Sequence, residues 1–280
     1  TLNRTRRLTS LLLASALVLA IVAAGCASAK KPAPAGELPV SPGASGPAPG
    51  RTIPVAVYFA DWQAQHVIPE QHQVPEAWES DLPTTVIKEL LAGPQDAHLN
   101  RPIPASVRLL ENVRVQDGVA YVNFSQDFGN IQGAAGTAMA VQSVVLSLTD
   151  LPGINKVQVL VEGKKDVMIG EGLLLEPMER GLYIYPVLPD PERAHYLQER
   201  RDRGIETWRS DPAQVVQWEG RQFGFTAEEL KKVKVAPQGM KAIASFIRDH
   251  KAFTMELAEQ EGGKTSGVWT IVGITTEDAN

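Results

Sequence analysis

The chain contains one cysteine, Cys26, among its 280 residues. One cysteine cannot form an internal disulfide, so the fold must be stable without a covalent cross-link. The five histidines are scattered, and no two stand at the i, i+4 or His-x-His spacing that a zinc site on one element uses. P-loop, HExxH and nucleophile-elbow motifs are also absent. We therefore predict a protein that is not an enzyme, with no catalytic residues, no cofactor and no bound metal.

An excess of positive charge is also missing. The sequence has 27 basic and 32 acidic side chains, which gives a formal net charge of -5. Affinity for nucleic acid and for anionic lipid surfaces depends on clustered Lys and Arg, so this balance argues against both as partners. The composition, 44% hydrophobic and 21% charged, is typical of a globular protein.

Residues 1–28 have the pattern of a targeting segment, with three arginines followed by the uncharged run Leu11–Ala24. Fourteen residues are too few for a membrane span, which needs about 20, and they suit a signal-peptide core. Cys26 follows this run directly after Val22–Gly25 and resembles the lipobox cysteine of bacterial lipoproteins, although Ala23 replaces the usual leucine. The resemblance implies an acylated Cys26 that anchors the chain to the extracytoplasmic face of the cell membrane. The alternative is a secretory signal that is cut after Ala29.

Residues 29–52 are rich in Pro, Gly, Ala and Ser. Such a segment cannot bury enough apolar surface to offset its ordering entropy, and its prolines keep it extended. We predict a tether between the membrane and the folded part.

Residues 53–176 predict a first folded domain with the order β-α-β-β-α-β. Two residues, Asp117-Gly118, separate two strand-like runs and favour a type I′ hairpin, because both positions need positive φ. An amphipathic helix follows, and Pro152-Gly153 ends it before an alternating strand at Val157–Val161. Right-handed crossovers then place the helices on one face of a small mixed β-sheet. Residues 60–79, between the first strand and the first helix, have the composition of a polar loop.

Two segments of this region carry a family resemblance. They are Leu90-Leu91-Ala92-Gly93-Pro94 and the run from Pro152-Gly153-Ile154 to Val161-Glu162-Gly163-Lys164. Together they resemble the GerMN domain of GerM sporulation and spore-germination proteins, over roughly residues 53–176. The resemblance implies an extracytoplasmic, often lipid-anchored module without established enzymatic chemistry, which contacts neighbouring subunits through a sheet-and-helix face. GerM proteins commonly carry two such modules, and we find one.

Residues 177–280 predict a second small α+β domain. Asp190-Pro191 and Asp211-Pro212 are start signals for two helices. The remaining residues alternate between apolar and polar side chains in successive runs, which indicates an antiparallel meander with Trp269 in the core.

Surface candidates come from exposed aromatic and small polar residues. Trp62 and Trp78 lie in the predicted loop and could stack on cell-wall sugars. On the outer side of the long helix, Gln142, Ser143 and Ser147 are expected to point outward and to form a partner surface, with a sheet edge as the alternative. His66 and His72 share the predicted loop with Asp61, Glu70 and Glu76, and we favour solvated loop residues there over a metal or acid-base site.

These observations predict a noncatalytic, lipid-anchored envelope protein whose GerMN domain mediates assembly in sporulation, germination or envelope maintenance. Its partners would be the membrane through Cys26 and an envelope protein complex or a second copy of the chain. The alternative is a module that binds a peptidoglycan fragment or another small envelope ligand.

Overall fold

A computed structural model describes residues 50–76, 81–170, 172–187, 190–260 and 267–279. These residues belong to one compact unit. Among them, no helix combines the length and the apolar character needed to cross a bilayer. The predicted signal segment with Cys26, nearly all of the predicted tether, and Trp78 lie outside the described residues. The predicted boundary between residues 176 and 177 stays a prediction.

The first half of the fold confirms the predicted α+β class. A mixed sheet has the strand order β3 (Arg114–Gln116), β4 (Val119–Phe124), β5 (Lys156–Val161) and β8 (Met178–Glu179), in which β4 and β5 run parallel and the other neighbours are antiparallel. Asp117 and Gly118 have φ of 51° and 76°, so the predicted hairpin turn is confirmed. The elements are β1 (Thr52–Ala60), β2 (Val67–Pro75), α1 (Leu82–Ala92), β3 (Arg114–Gln116), β4 (Val119–Phe124), α2 (Gln126–Gly129), α3 (Ala134–Thr149), β5 (Lys156–Val161), β6 (Met168–Ile169), β7 (Leu173–Leu174) and β8 (Met178–Glu179).

Strand β2 occupies nine residues in the middle of the segment that the sequence predicted as a polar loop, so that prediction is wrong. It pairs antiparallel with β1 along its whole length, in a two-stranded sheet separate from β3-β4-β5-β8. From Glu70 onward its burial alternates, with Glu70, His72 and Val74 buried. The inward positions therefore include a carboxylate and an imidazole, which hid the strand pattern in the sequence.

Helix α3 is buried on more than its apolar side. Val141, Val144, Val145 and Leu148 are buried, which confirms the predicted inner face. Ser143 and Ser147, expected to point outward, are fully buried, so their predicted exposure is wrong. The reason is that β1 crosses the helix on this side, where the buried Leu146 also lies in a small apolar cluster with Tyr58.

The second half contains the predicted helices and meander. Asp190 and Asp211 cap α4 and α5, each accepting a backbone N–H bond through its side chain, so both Asp-Pro start signals are confirmed. The four-stranded antiparallel sheet has the order β12-β11-β10-β9. Trp269 is 7% exposed, as predicted for a core residue. The elements are α4 (Pro191–Asp202), α5 (Pro212–Glu219), α6 (Ala227–Leu230), β9 (Lys234–Gln238), β10 (Lys241–Arg248), β11 (Lys251–Gln260) and β12 (Val268–Asp278).

Candidate functional site

A cavity of about 630 Å³ lies where the β1–β2 turn meets the second half of the chain. Its walls come from the turn at residues 61–68, the connector at residues 185–187, the first turns of α4, and parts of α5, β11 and β12. The volume falls within the range of about 300–1,000 Å³ that small-molecule sites occupy. This cavity is therefore the candidate functional site.

Aromatic side chains form one side of the cavity. The His66 and Tyr185 rings stack with centroids 3.6 Å apart and planes 4° from parallel, and Tyr185 packs in turn against the buried Phe223. Trp62 is 57% exposed on the same turn as His66 and also lines the cavity. Trp62 is thus on the surface, while its role in binding a ligand stays a prediction.

Two polar atoms of cavity-lining residues are buried without a hydrogen-bond partner. They are the hydroxyl of Tyr185 and Nη1 of Arg193. Burial, and then the nearby carboxylates of Asp61 and Glu219, raise the pKa of Tyr185, so its hydroxyl remains protonated at neutral pH. Buried polar groups in folded proteins are nearly always hydrogen-bonded, so two unpaired atoms beside one cavity require an explanation.

The acidic residues of the cavity are mostly committed to structural contacts. An oxygen of Asp61 accepts the backbone N–H of Gln65 at 2.7 Å, and Asp190 accepts that of Arg193 at 2.9 Å as the α4 cap. Glu219 pairs with Arg209, a residue that does not line the cavity. Glu192 is exposed. Among the described cavity residues, carboxylates outnumber basic side chains, so the cavity does not suit a multiply charged anion.

His72 lies elsewhere, in a buried ion-pair cluster, and is not a solvated loop residue. Its Nε2 is 2.7 Å from Glu70 and its Nδ1 is 2.9 Å from Glu89, with the His72 and Glu70 side chains nearly inaccessible. Glu70 also accepts the backbone N–H groups of Gln95 and Asp96. Because a carboxylate only accepts hydrogen bonds when it is ionised, contacts with glutamates at both ring nitrogens favour an imidazole that donates from both and carries a charge.

The charge on His72 makes this cluster sensitive to pH. Burial by itself would lower the pKa of His72, but the hydrogen bonds to Glu70 and Glu89 outweigh it and raise that pKa above its ordinary value. Because this pKa is higher in the folded than in the unfolded chain, protonation of His72 stabilises the fold. The stabilisation is present in full below the unfolded-state pKa and is lost as the pH rises through the folded-state pKa.

The other sequence-predicted candidates do not meet in one place. Gln142 is half-buried, the Ser143 hydroxyl donates to the Ala140 carbonyl at 2.8 Å, and Ser147 Oγ accepts the backbone N–H of Tyr58 at 3.0 Å. The two serines therefore make internal hydrogen bonds. Within the described ranges, no group of three or more His, Cys, Asp or Glu side chains could hold a metal ion.

Sequence reasoning missed Tyr185 and Arg193. Tyr185 lies in a proline-containing connector, and Arg193 lies in a helix whose charges are mixed in sign, a pattern typical of a solvated face. Tyr183 and Tyr185 could have indicated that the connector packs against the fold, since aromatic residues are uncommon in free linkers.

Comparisons with known proteins concern the first half of the chain. The model of the Germane family, described as "Sporulation and spore germination", matches residues 56–167. The spore germination protein GerM of Bacillus subtilis (strain 168) is 27% identical over 136 residues, which cover 46% of this chain and 37% of that protein. The chain therefore spans well under half the length of this curated relative.

Two solved structures of GerMN domains are also similar. The tandem GerMN domains of the sporulation protein GerM from Bacillus subtilis are 26% identical, with a TM-score of 0.40, and the match covers 53% of this chain and 56% of that one. The first GerMN domain of the same protein is 22% identical, with a TM-score of 0.40 over 46% of this chain and 98% of that one. Residues 56–167 of this chain therefore match the Germane domain model, and the chain is similar over this part to the GerM protein of Bacillus subtilis.

Proposed function

We propose that this chain is a noncatalytic, lipid-anchored protein of the bacterial cell envelope. Its GerMN domain would take part in protein assembly during sporulation, spore germination or envelope maintenance. The observation that carries the proposal is the match of the Germane family model to residues 56–167. The lipobox-like segment that ends at Cys26 and the absence of known catalytic motifs from the sequence support it.

The partner surface is the free edge of the mixed sheet. Ser143 and Ser147 of the long helix are buried under other parts of the same chain, which favours the sheet edge over that side of the helix. Strand β3 stands at the end of its sheet and all three of its residues are exposed, with Val115 44% exposed. An edge strand presents unpaired backbone groups, which a strand of a partner protein can pair with.

Cross-linking in cells tests this surface. A photoreactive amino acid at Val115 should give cross-links to an envelope protein or to a second copy of the chain. The matched control is Ile247, which is 70% exposed on β10 in the other half of the chain and should give none. Equal cross-linking from both positions, or none from Val115, would contradict an interface at the β3 edge.

Lipid labelling tests the anchor. Cells fed a fatty-acid analogue should label the wild-type chain and not the Cys26→Ala variant. The variant should also leave the membrane fraction, because without Cys26 it lacks the two or three acyl chains that would hold it firmly in the membrane. A wild-type chain that carries no label, with unchanged fractionation of Cys26→Ala, would favour the secretory signal that is cut after Ala29.

Deletion of the gene tests the cellular role. If the source organism forms spores, we expect fewer spores or slower germination, restored by the wild-type chain and not by a chain that lacks residues 56–167. A sporulation and germination phenotype identical to wild type would leave envelope maintenance as the role, and that would appear as sensitivity to envelope stress.

A further inference from the structure

We propose that the cavity beside the β1–β2 turn binds a small neutral saccharide. This inference goes beyond the assembly role, because it concerns a cavity beside the β1–β2 turn and needs neither the anchor nor the β3 edge. It rests on three properties of the cavity: its aromatic side, its polar lining and its unpaired donors.

The aromatic side suits the apolar face of a sugar ring. Trp62 offers an indole that is 57% exposed at the cavity, and His66 and Tyr185 add a stacked pair beside it. A sugar ring presents C–H groups on one face and hydroxyl groups around its rim, so it can cover an exposed aromatic ring while it keeps polar contacts at its edge. An exposed large aromatic side chain beside a concave site is typical of ligand contact.

The polar lining suits hydroxyl groups better than a charged group. Four glutamines, whose carboxamides can donate and accept, line the cavity together with acidic residues, whose carboxylates only accept. Hydroxyl groups also donate and accept, so they can meet this mixture, whereas a phosphate is an anion that the carboxylates repel. The glutamines are Gln63, Gln65, Gln222 and Gln260.

The unpaired donors supply a free-energy gain on binding. The Tyr185 hydroxyl and Arg193 Nη1 are buried without a hydrogen-bond partner, and an unpaired buried donor destabilises the free protein. Both atoms are shut off from solvent, so a ligand oxygen reaches them only when an adjoining side chain shifts. Two new hydrogen bonds to sugar oxygens would offset the cost of that shift.

The test uses the full chain with N,N′-diacetylchitobiose and cellobiose as neutral probes and inorganic phosphate as the anionic probe. Calorimetry and saturation-transfer NMR should show saturable binding of at least one sugar and none of phosphate. Absence of saturable sugar binding at tens of millimolar probe, or tighter binding of phosphate than of either sugar, would overturn the proposal.

Three variants test whether the sugar binds in this cavity. Tyr185→Phe removes only an unpaired hydroxyl, so the free protein should keep its stability or gain some, while sugar affinity falls about three- to tenfold. Trp62→Ala should also lower affinity without loss of stability, because the side chain is exposed. Arg203→Met is the control, since Arg203 follows α4 but does not line the cavity, and it should leave affinity unchanged. Sugar binding that survives both Tyr185→Phe and Trp62→Ala unchanged would refute this location.

Discussion

Arg180 connects the GerMN domain to the second half of the chain, and its replacement should destabilise the protein more than that of any exposed arginine. Its guanidinium donates to the carbonyl oxygens of Leu146 at 2.6 Å and Phe225 at 3.1 Å. It also contacts the buried Tyr58 hydroxyl and pairs with Asp150 at 3.3 Å. The Arg180 and Asp150 side chains are each 6% exposed, so little solvent screens the pair.

The expected cost of Arg180→Met follows from what the change leaves behind. Loss of one partner from a buried ion pair costs about 3–5 kcal/mol, because the remaining charge is uncompensated. Asp150 keeps a second partner, Arg221, at 2.8 Å, which places the cost near the lower end of that range. At about 2–4 °C per kcal/mol for a protein of this size, a loss of about 3 kcal/mol lowers Tm by about 6–12 °C.

Urea unfolding, followed by tryptophan fluorescence and circular dichroism, measures this cost. The matched control is Arg203→Met, since the Arg203 side chain is 71% exposed and its ion pair with Glu199 spans 3.5 Å. The control should change the free energy of unfolding by less than about 0.5 kcal/mol. If Arg180→Met costs less than about 1 kcal/mol, or no more than the control, the buried network does not stabilise the fold as argued.

Three other changes test single features of the fold. The free energy of unfolding of the wild-type chain should fall as the pH rises through the raised pKa of His72, and His72→Gln should remove this dependence. If the wild type and the variant give parallel pH profiles in urea unfolding, the His72 ring is not charged. Ser147→Ala removes the acceptor of a buried backbone N–H in β1 and should cost about 1–3 kcal/mol in urea unfolding, whereas Gln142→Ala should cost less than about 0.5 kcal/mol. Gly118→Ala and Gly153→Ala both place a side chain at positive φ, but only at Gly118 would the new Cβ lie 2.8 Å from another side chain, that of Asn155. We therefore expect Gly118→Ala to lower Tm more than Gly153→Ala does, and equal shifts in Tm would contradict this.

Much of the fold could be predicted because local signals and tertiary packing agree. The Asp117-Gly118 turn, the apolar face of α3 and the two Asp-Pro helix starts each depend on residues close in sequence, and the structure has all of them. Strand β2 could not be predicted, since its inward side chains include Glu70 and His72. Their burial depends on partners well away along the chain, notably Glu89 and the backbone that follows α1.

The candidate site likewise depends on contacts between residues that are far apart in the sequence. Trp62 could be proposed from its residue type and its turn, but the cavity exists only because the connector and α4 lie against that turn. Tyr185 follows Trp62 by more than a hundred residues, and no local pattern indicates that it would stack on His66. Residue type therefore identified one wall of the cavity, and long-range packing supplied the rest.

The burial of the outer side of α3 also bears on where a partner can bind. Leu146 and Tyr58 are fully buried in a cluster that Tyr183 and Trp218 of the later segments help to cover. A helix face that is already covered within the chain can contact a partner only if these segments move away, which would break the bonds of Arg180 as well. The cost estimated for Arg180 alone makes that opening unfavourable, whereas the β3 edge is exposed without any rearrangement. The same energetic argument therefore supports the sheet edge over the helix as the contact surface of this GerMN domain.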